Sequence, residues 1–199
     1  MTAAGSDVER LSGANRILVL GPSGSGKTQL ALRLGELLGL PLVHLDAHRW
    51  RPGWVALADR DWRPVVVELT RASEWIMDGT YESTLDLRIP AADAVIVLEA
   101  GRLTCLLGLL RRRFLDGRGR RPDAPAGQRI DRAFLRYLWR YPVATRPMLL
   151  AKLREHAEGK TVVVVHGRRQ ARRLVEDVRR LNPARPRVDA AGANASPSE

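Results

Sequence analysis

The stretch Arg16-Ile-Leu-Val-Leu20-Gly21-Pro-Ser-Gly-Ser-Gly-Lys27-Thr28 decides the architecture of this chain. Its first five residues form a short apolar run without alternation, the pattern of a strand buried on both faces of a parallel sheet. The next eight match G-x-x-x-x-G-K-[ST] in full. Leu30, Leu34, Leu37 and Leu38 then recur at helical spacing, and Gly39 and Pro41 supply stop signals. A strand, a glycine-rich turn and a helix in this order make a phosphate-binding loop. The glycines let the chain turn tightly and bring successive N–H groups to phosphate oxygens. The helix adds its N-terminal donors and the positive end of its dipole. Lys27 can set its ammonium on the β- and γ-phosphates, and Thr28 can offer its hydroxyl to Mg²⁺. Gly21, Pro22, Ser23, Gly24, Ser25, Gly26, Lys27 and Thr28 are thus the expected cradle for ATP.

Outward from this loop lie four more apolar runs, Leu42–Leu45, Trp75–Met77, Ala94–Leu98 and Thr161–Val165. Helical stripes separate them. Leu103, Leu106, Leu107, Leu110 and Phe114 form one, and Ala171, Leu174, Val175 and Val178 another. Strands alternating with helices predict a doubly wound α/β domain. About sixty residues separate the fourth and fifth runs, more than a simple crossover needs. Residues 115–127 in this gap are rich in Gly, Pro and Arg and read as a loop. Asp131 is placed to cap a helix carrying Phe134, Leu135, Leu138 and Trp139, and a further helix is expected around Met148, Leu149, Leu150 and Leu153. The segment reads as a helical insertion with a basic lid over residues 115–130. The expected divisions are a loose N-terminus at 1–14, one domain at 15–181 and a loose tail at 182–199.

Composition narrows the class. The 199 residues are 45% apolar, which excludes a wholly disordered chain. No apolar run approaches the roughly 20 residues of a membrane helix. Met1–Asn15 lacks the apolar stretch of a signal peptide, so a soluble cytoplasmic protein is expected. Cys105 is the single cysteine, which excludes an internal disulfide; it lies in a helical stripe and reads as an inert core residue. The net charge is +11, unevenly placed: −3 over residues 1–101, +8 over 102–140 and +6 over 141–199. That field attracts phosphates or nucleic acid. Only three of the 33 basic residues are Lys, so a background bias towards Arg inflates the total.

Beyond the loop, Asp46 is expected at the end of the second strand, where such sheets face their ligand crevice. There it could orient an acceptor hydroxyl, act as a base or hold a metal-bound water. His44 and His48 flank it at a spacing that, on an extended strand, would share a face and make a metal site conceivable. Asp78-Gly79 follows the third strand, and its carboxylate can reach Mg²⁺ through water. Glu99 ends the fourth strand and could share the metal shell with Thr28 and Asp78. Arg111, Arg112, Arg113, Arg118, Arg120 and Arg121 form a basic set able to stabilise a moving phosphoryl group. Arg111, Arg118 and Arg121 are the candidates for catalysis, and Arg113 and Arg168 for ATP itself. Trp50, Pro52, Gly53 and Trp54 make an aromatic turn that either stacks on a ligand or anchors its loop.

These residues resemble a family. The phosphate loop at Gly21–Thr28, Leu45-Asp46-Ala-His-Arg-Trp50-Arg-Pro-Gly-Trp54, Trp75-Ile-Met-Asp-Gly-Thr-Tyr81, Leu85-Asp-Leu-Arg88, Arg121-Pro-Asp123 and the closing strand resemble the adenylate-kinase-like P-loop proteins. The resemblance is strongest to the group labelled DNA topology modulation proteins, and spans roughly residues 15–181. It implies a P-loop NTPase fold of three αβα layers, a five-stranded parallel sheet ordered 2-3-1-4-5, and a nucleotide-kinase-like domain using ATP and Mg²⁺. The chain departs from adenylate kinases after Asp78-Gly79, where Thr80-Tyr81-Glu82 replaces F-P-R. The arginine that would grip AMP is missing there, and Arg88 is its candidate substitute. The tryptophan turn replaces the AMP-binding helical segment.

Two functions of different class compete. One is a small kinase moving the γ-phosphoryl of MgATP to a small acceptor, with Lys27, Asp46, Asp78 and Arg88 at the reaction. The other is a nucleic-acid-associated regulator that uses ATP as a switch, motivated by the basic second half and by Arg168, Arg169, Arg172, Arg173, Arg179 and Arg180. No recognised DNA-binding motif supports the latter, and a nucleotide binder without turnover is a third form. The GTPase signature N-K-x-D is absent, since none of Asn15, Asn182 and Asn194 precedes a Lys. The expected partners are ATP and a small phosphoryl acceptor, with no membrane and a monomer or homodimer.

Overall fold

The computed structural model describes residues 5–115 and 132–183. In chain order its elements are α1 (Gly5–Ser12), β1 (Arg16–Leu20), α2 (Lys27–Leu38), β2 (Leu42–His44), α3 (Leu45–Arg49), β3 (Trp50–Arg51) and β4 (Val55–Ala56). They continue with α4 (Asp59–Thr70), β5 (Trp75–Asp78), a 3₁₀ turn at Glu82–Thr84, α5 (Leu85–Ala91), β6 (Ala94–Glu99) and α6 (Arg102–Leu115). The last are α7 (Arg132–Arg140), α8 (Thr145–His156), β7 (Thr161–His166) and α9 (Gly167–Leu181).

The main sheet runs β2-β5-β1-β6-β7 with every neighbour parallel. Counted among these five strands alone, the order is the expected 2-3-1-4-5. The hairpin β3–β4 is an addition, a separate antiparallel pair with Trp50 opposite Ala56. The continuous apolar runs follow from burial on both faces. Ile17 and Val19 point to one face of β1, where they meet residues of α1, α2 and α9. Leu18 and Leu20 point to the other, against α4, α5 and α8. Met77, Val95 and Val97 join that second layer, while Ile76, Ile96 and Leu98 join the first. The α2 helix stops at Gly39, whose φ of 68° and N–H bonded to the Gly35 carbonyl form a glycine cap.

Four sequence expectations change. The N-terminal segment is not loose throughout: α1 buries Val8 and Leu11 against the layer that holds α9. An eight-residue amphipathic helix gains its stability from such packing. The second strand ends at His44, and Leu45 opens a short helix instead of closing the strand. The leucine stripe of α6 is split: Leu103 is 71% and Leu107 63% exposed, Leu106 is half-buried, and Cys105 and Leu109 are buried. The cause is close packing on the phosphate loop. A Cβ at Gly108 would lie 2.2 Å from the Gly24 carbonyl oxygen, and one at Gly24 would lie 2.2 Å from that of Cys105. Glycine is required at 108, the point of closest approach, and Cys105 and Leu109 pack on the loop beside it. In α7, likewise, Leu138 is buried, while Leu135 and Trp139 are exposed. All but the first residue of the lid expected at 115–130, the cap at Asp131 and most of the tail lie outside the described residues. Among the described residues, no helix is long and apolar enough to cross a membrane.

Candidate active site

The phosphate loop joins the C-terminal end of β1 to the N-terminus of α2. Gly21, Gly24 and Gly26 all have positive φ, at 148°, 79° and 103°. These values favour glycine and let the backbone make the tight turn that a phosphate loop needs. The loop's first residue is fixed from outside. Thr80 donates its hydroxyl to the Gly21 carbonyl at 2.7 Å, and the same oxygen accepts from the Gly21 N–H at 3.1 Å.

Asp78 closes β5, the neighbour of β1, and is 4% exposed. Its Oδ1 lies 3.5 Å from His44 Nδ1. Its Oδ2 is buried without a hydrogen-bond partner among the described residues. Burial alone would raise the Asp78 carboxyl. The polar side chains of His44 and Thr28 and the charge on Lys27 outweigh it, and the group is held below the ordinary aspartate value. A buried carboxylate oxygen with a threonine hydroxyl nearby is a pair of the hard oxygen donors that Mg²⁺ takes. Thr28 and Asp78 therefore fit that ion.

Glu99, expected to join them, does not face this set. Its Oε1 accepts from Arg146 Nε at 2.7 Å and pairs with Arg146 Nη2 at 2.6 Å, while its Oε2 lies 3.2 Å from His166 Nδ1. Arg146 and His166 thus occupy both oxygens. The trio lines a cavity of about 440 Å³ with Thr104 and Tyr141.

Arg88 is likewise placed otherwise than expected. It is fully buried, and its guanidinium is spent on main-chain oxygens. Nη1 donates to the Gly79 carbonyl at 2.8 Å, and Nη2 to those of Thr80 at 2.5 Å and Tyr81 at 2.8 Å. Nε donates to the Thr84 hydroxyl at 3.1 Å. Burial pushes the Arg88 pKa down to about 9, which still leaves a cation at neutral pH. This residue braces the loop after β5 and presents nothing to a ligand.

Asp46 sits in the first turn of α3, half-buried at the C-terminal edge of the sheet rather than on a strand. Its Oδ1 accepts the Tyr81 hydroxyl at 2.6 Å, and the phenol oxygen accepts the Trp50 indole N–H at 2.8 Å. The turn that carries Trp50 is built by Pro52-Gly53. Gly53 has φ 80°, and Trp54 N–H reaches the Arg51 carbonyl at 3.1 Å. The rings of Trp50 and Trp54 lie 5.4 Å apart. His44 and His48 do not share a strand face, because the strand ends at His44 and His48 lies on α3. Burial, and then the neighbouring His44, lower the His48 pKa. Among the described residues, no group of three or more His, Cys, Asp or Glu could hold a metal ion.

Of the basic candidates, Arg168 lies beside α6: its Nη2 is 3.0 Å from the position a Cβ would take at Gly108, the residue pressed against Gly24. Arg111 is exposed on α6. The side chains of Arg112, Arg113, Arg118, Arg120 and Arg121 lie outside the described residues. Cys105 is buried, and burial pushes its thiol pKa up, as an inert thiol requires. Sequence reasoning missed Thr80 and Tyr81 as site residues. The signal was present, since both follow Asp78-Gly79 directly, but only the fold shows that their hydroxyls reach Gly21 and Asp46.

No protein-family model matches the chain. Two short stretches are similar to curated ATPase subunits. One is 50% identical over 44 residues to the ATP-binding subunit ClpX 3 of the ATP-dependent Clp protease of Methylococcus capsulatus, covering 22% of this chain and 10% of that protein. The other is 39% identical over 57 residues to the ATPase subunit HslU of Persephonella marina, covering 29% of this chain and 12% of that protein. The chain thus spans only about a tenth of the length of these relatives. Solved structures match over nearly the whole chain. A sugar kinase from Janibacter superposes with a TM-score of 0.52 at 17% identity, covering 82% of this chain and 91% of that one. The shikimate kinase of Acinetobacter baumannii, in complex with shikimate, gives 0.51 at 20%, covering 87% and 96%. The chain has the α/β fold of the P-loop kinases.

Proposed function

We propose that this protein is a P-loop phosphotransferase that moves the γ-phosphoryl group of MgATP to a hydroxyl of a small acceptor. The observation that carries the reading is the buried Asp78 carboxylate beside Lys27 and Thr28, with an oxygen left without a hydrogen-bond partner among the described residues. Gly21–Lys27 cradle the phosphates, and Arg168 lies beside Gly108, the residue pressed against the same loop. Mg²⁺ when bound neutralises phosphate charge, and Thr28 and Asp78 would hold it. Lys27 stabilises charge that develops on the transferred group. Asp46 orients the acceptor hydroxyl and takes its proton as the oxygen attacks the γ-phosphorus and the bond to the β-phosphate breaks. The basic residues Arg111, Arg113, Arg118 and Arg121 are proposed to meet phosphate as the site closes.

The adenylate-kinase-like subtype belongs to this proposal, with a change of acceptor. A nucleoside monophosphate needs cations for its own phosphate. Arg88 is spent on carbonyls, and Arg63 is paired with Asp86 at 2.7 Å. This favours a hydroxylated acceptor without a phosphate group over AMP. The experiment is an ATP-consumption screen against sugars, polyols, hydroxy acids, nucleosides and nucleoside monophosphates. Turnover with a member of the first four classes is expected. Turnover with monophosphates alone overturns the choice of acceptor, and no turnover with any of them overturns the phosphotransferase reading.

A further inference from the structure

Three side chains from three separate elements meet in one directed chain. Trp50 comes from the hairpin, Tyr81 from the loop after β5 and Asp46 from α3. An indole N–H can only donate, and a phenol has a single proton. The direction is therefore fixed: Trp50 donates to Tyr81, and Tyr81 donates to Asp46. Burial, and then the charge of Asp46, push the Tyr81 pKa far up, so the phenol keeps its proton at any working pH.

The fold holds Tyr81 in this pose at a cost. Its φ is +27°, a conformation an L side chain rarely adopts. Arg88 secures the backbone by gripping three successive carbonyls, the last being that of Tyr81. The ring packs edge-on against Trp62, with centroids 5.5 Å apart. Gly79 permits the approach, because a Cβ there would lie 2.9 Å from Leu45 Cβ. Strain retained by so many contacts marks a side chain whose position matters.

We propose that Tyr81, itself held by Trp50, is a positioning residue that fixes the plane of the Asp46 carboxylate, so that Asp46 meets the acceptor hydroxyl in one orientation. The proposal rests on the phosphotransfer reading above. It also gives the hairpin a use: Trp50 spends its only donor inside the protein, supporting the phenol.

The test combines spectroscopy with kinetics on the full chain. The indole N–H signal of Trp50 is assigned in ¹⁵N-labelled protein by its loss in Trp50→Phe. It is expected to shift in Tyr81→Phe and, less, in Asp46→Asn. With an acceptor found by the screen, Tyr81→Phe is expected to lower kcat roughly 10²-fold while leaving the KM for ATP within twofold. Trp50→Phe is expected to act in the same sense and more weakly. Added to Asp46→Asn, Tyr81→Phe is expected to cost no more than a further twofold, because it acts through the group already removed. A Tyr81→Phe enzyme with native kcat, or losses that multiply in the double variant, overturns the proposal. So does a Trp50 signal that ignores Tyr81→Phe. Failure of every acceptor to turn over instead overturns the phosphotransfer reading, and the indole signal is then read independently of it.

Discussion

At the scale of single residues, charge and its partners decide the outcome. Lys27 lies at the first position of α2 and acts on Asp78. Lys27→Ala removes one preorganised cation from the transferred phosphoryl group. Turnover is expected to fall on the order of 10³-fold, with the melting curve and circular dichroism unchanged. Asp93 shows the same physics away from the site. Its carboxylate accepts the N–H groups of Asn15 and Arg16 and pairs with the Arg16 guanidinium at 3.0 Å. Burial alone would raise its pKa, but these bonds outweigh burial and hold it below the ordinary 3.8. The unfolded chain takes up this proton at the ordinary value and the native chain only at lower pH. The stabilisation is therefore full above 3.8 and lost as pH falls through the native pKa. In urea titrations the advantage of the native protein over Asp93→Asn is expected at neutral pH and should shrink below that value.

At the scale of elements, Gly108 offers a test in which propensity and packing disagree. Glycine to alanine in an exposed helix gains about 1 kcal/mol. Here the added Cβ would sit 2.2 Å from the Gly24 carbonyl oxygen, a main-chain atom that cannot swing away. Gly108→Ala is expected to lower the melting temperature and to weaken MgATP binding in calorimetry, because the loop must shift. The same contact explains what the sequence concealed. The strands were legible because residues such as Ile17 and Leu18 are buried on opposite faces of one run. The phosphate loop was legible because its chemistry is local. The face of α6 was not, since its partner is the main chain of a loop some eighty residues earlier, which no leucine stripe reports. The positions of Arg88 and Glu99 were hidden for a similar reason. A buried arginine bonded to main-chain carbonyls and a glutamate held by Arg146 and His166 carry the same letters as residues that face a ligand. Asp46 was assigned to the right edge of the sheet but to the wrong element, because one turn of helix leaves almost no periodicity.

At the scale of the whole molecule, the ligand site and the stability of the fold are linked. A nucleotide that binds only the native state at a hundredfold excess over its dissociation constant adds about 2.7 kcal/mol. For a domain of this size that raises the melting temperature by roughly 5–10 °C. Such a rise is expected with MgATP and is expected to vanish in Lys27→Ala, in scans of native protein and variant with the nucleotide present.

The hydroxyl of Thr80 ties Gly21 to the segment that runs from Asp78, at the end of β5, to Tyr81. The groups proposed for the two substrates are therefore mounted on one shared joint. Whatever settles one half of that joint has already settled the other. The nucleotide and the acceptor should accordingly bind with positive cooperativity, each tightening its companion by an identical factor, as thermodynamic reciprocity demands.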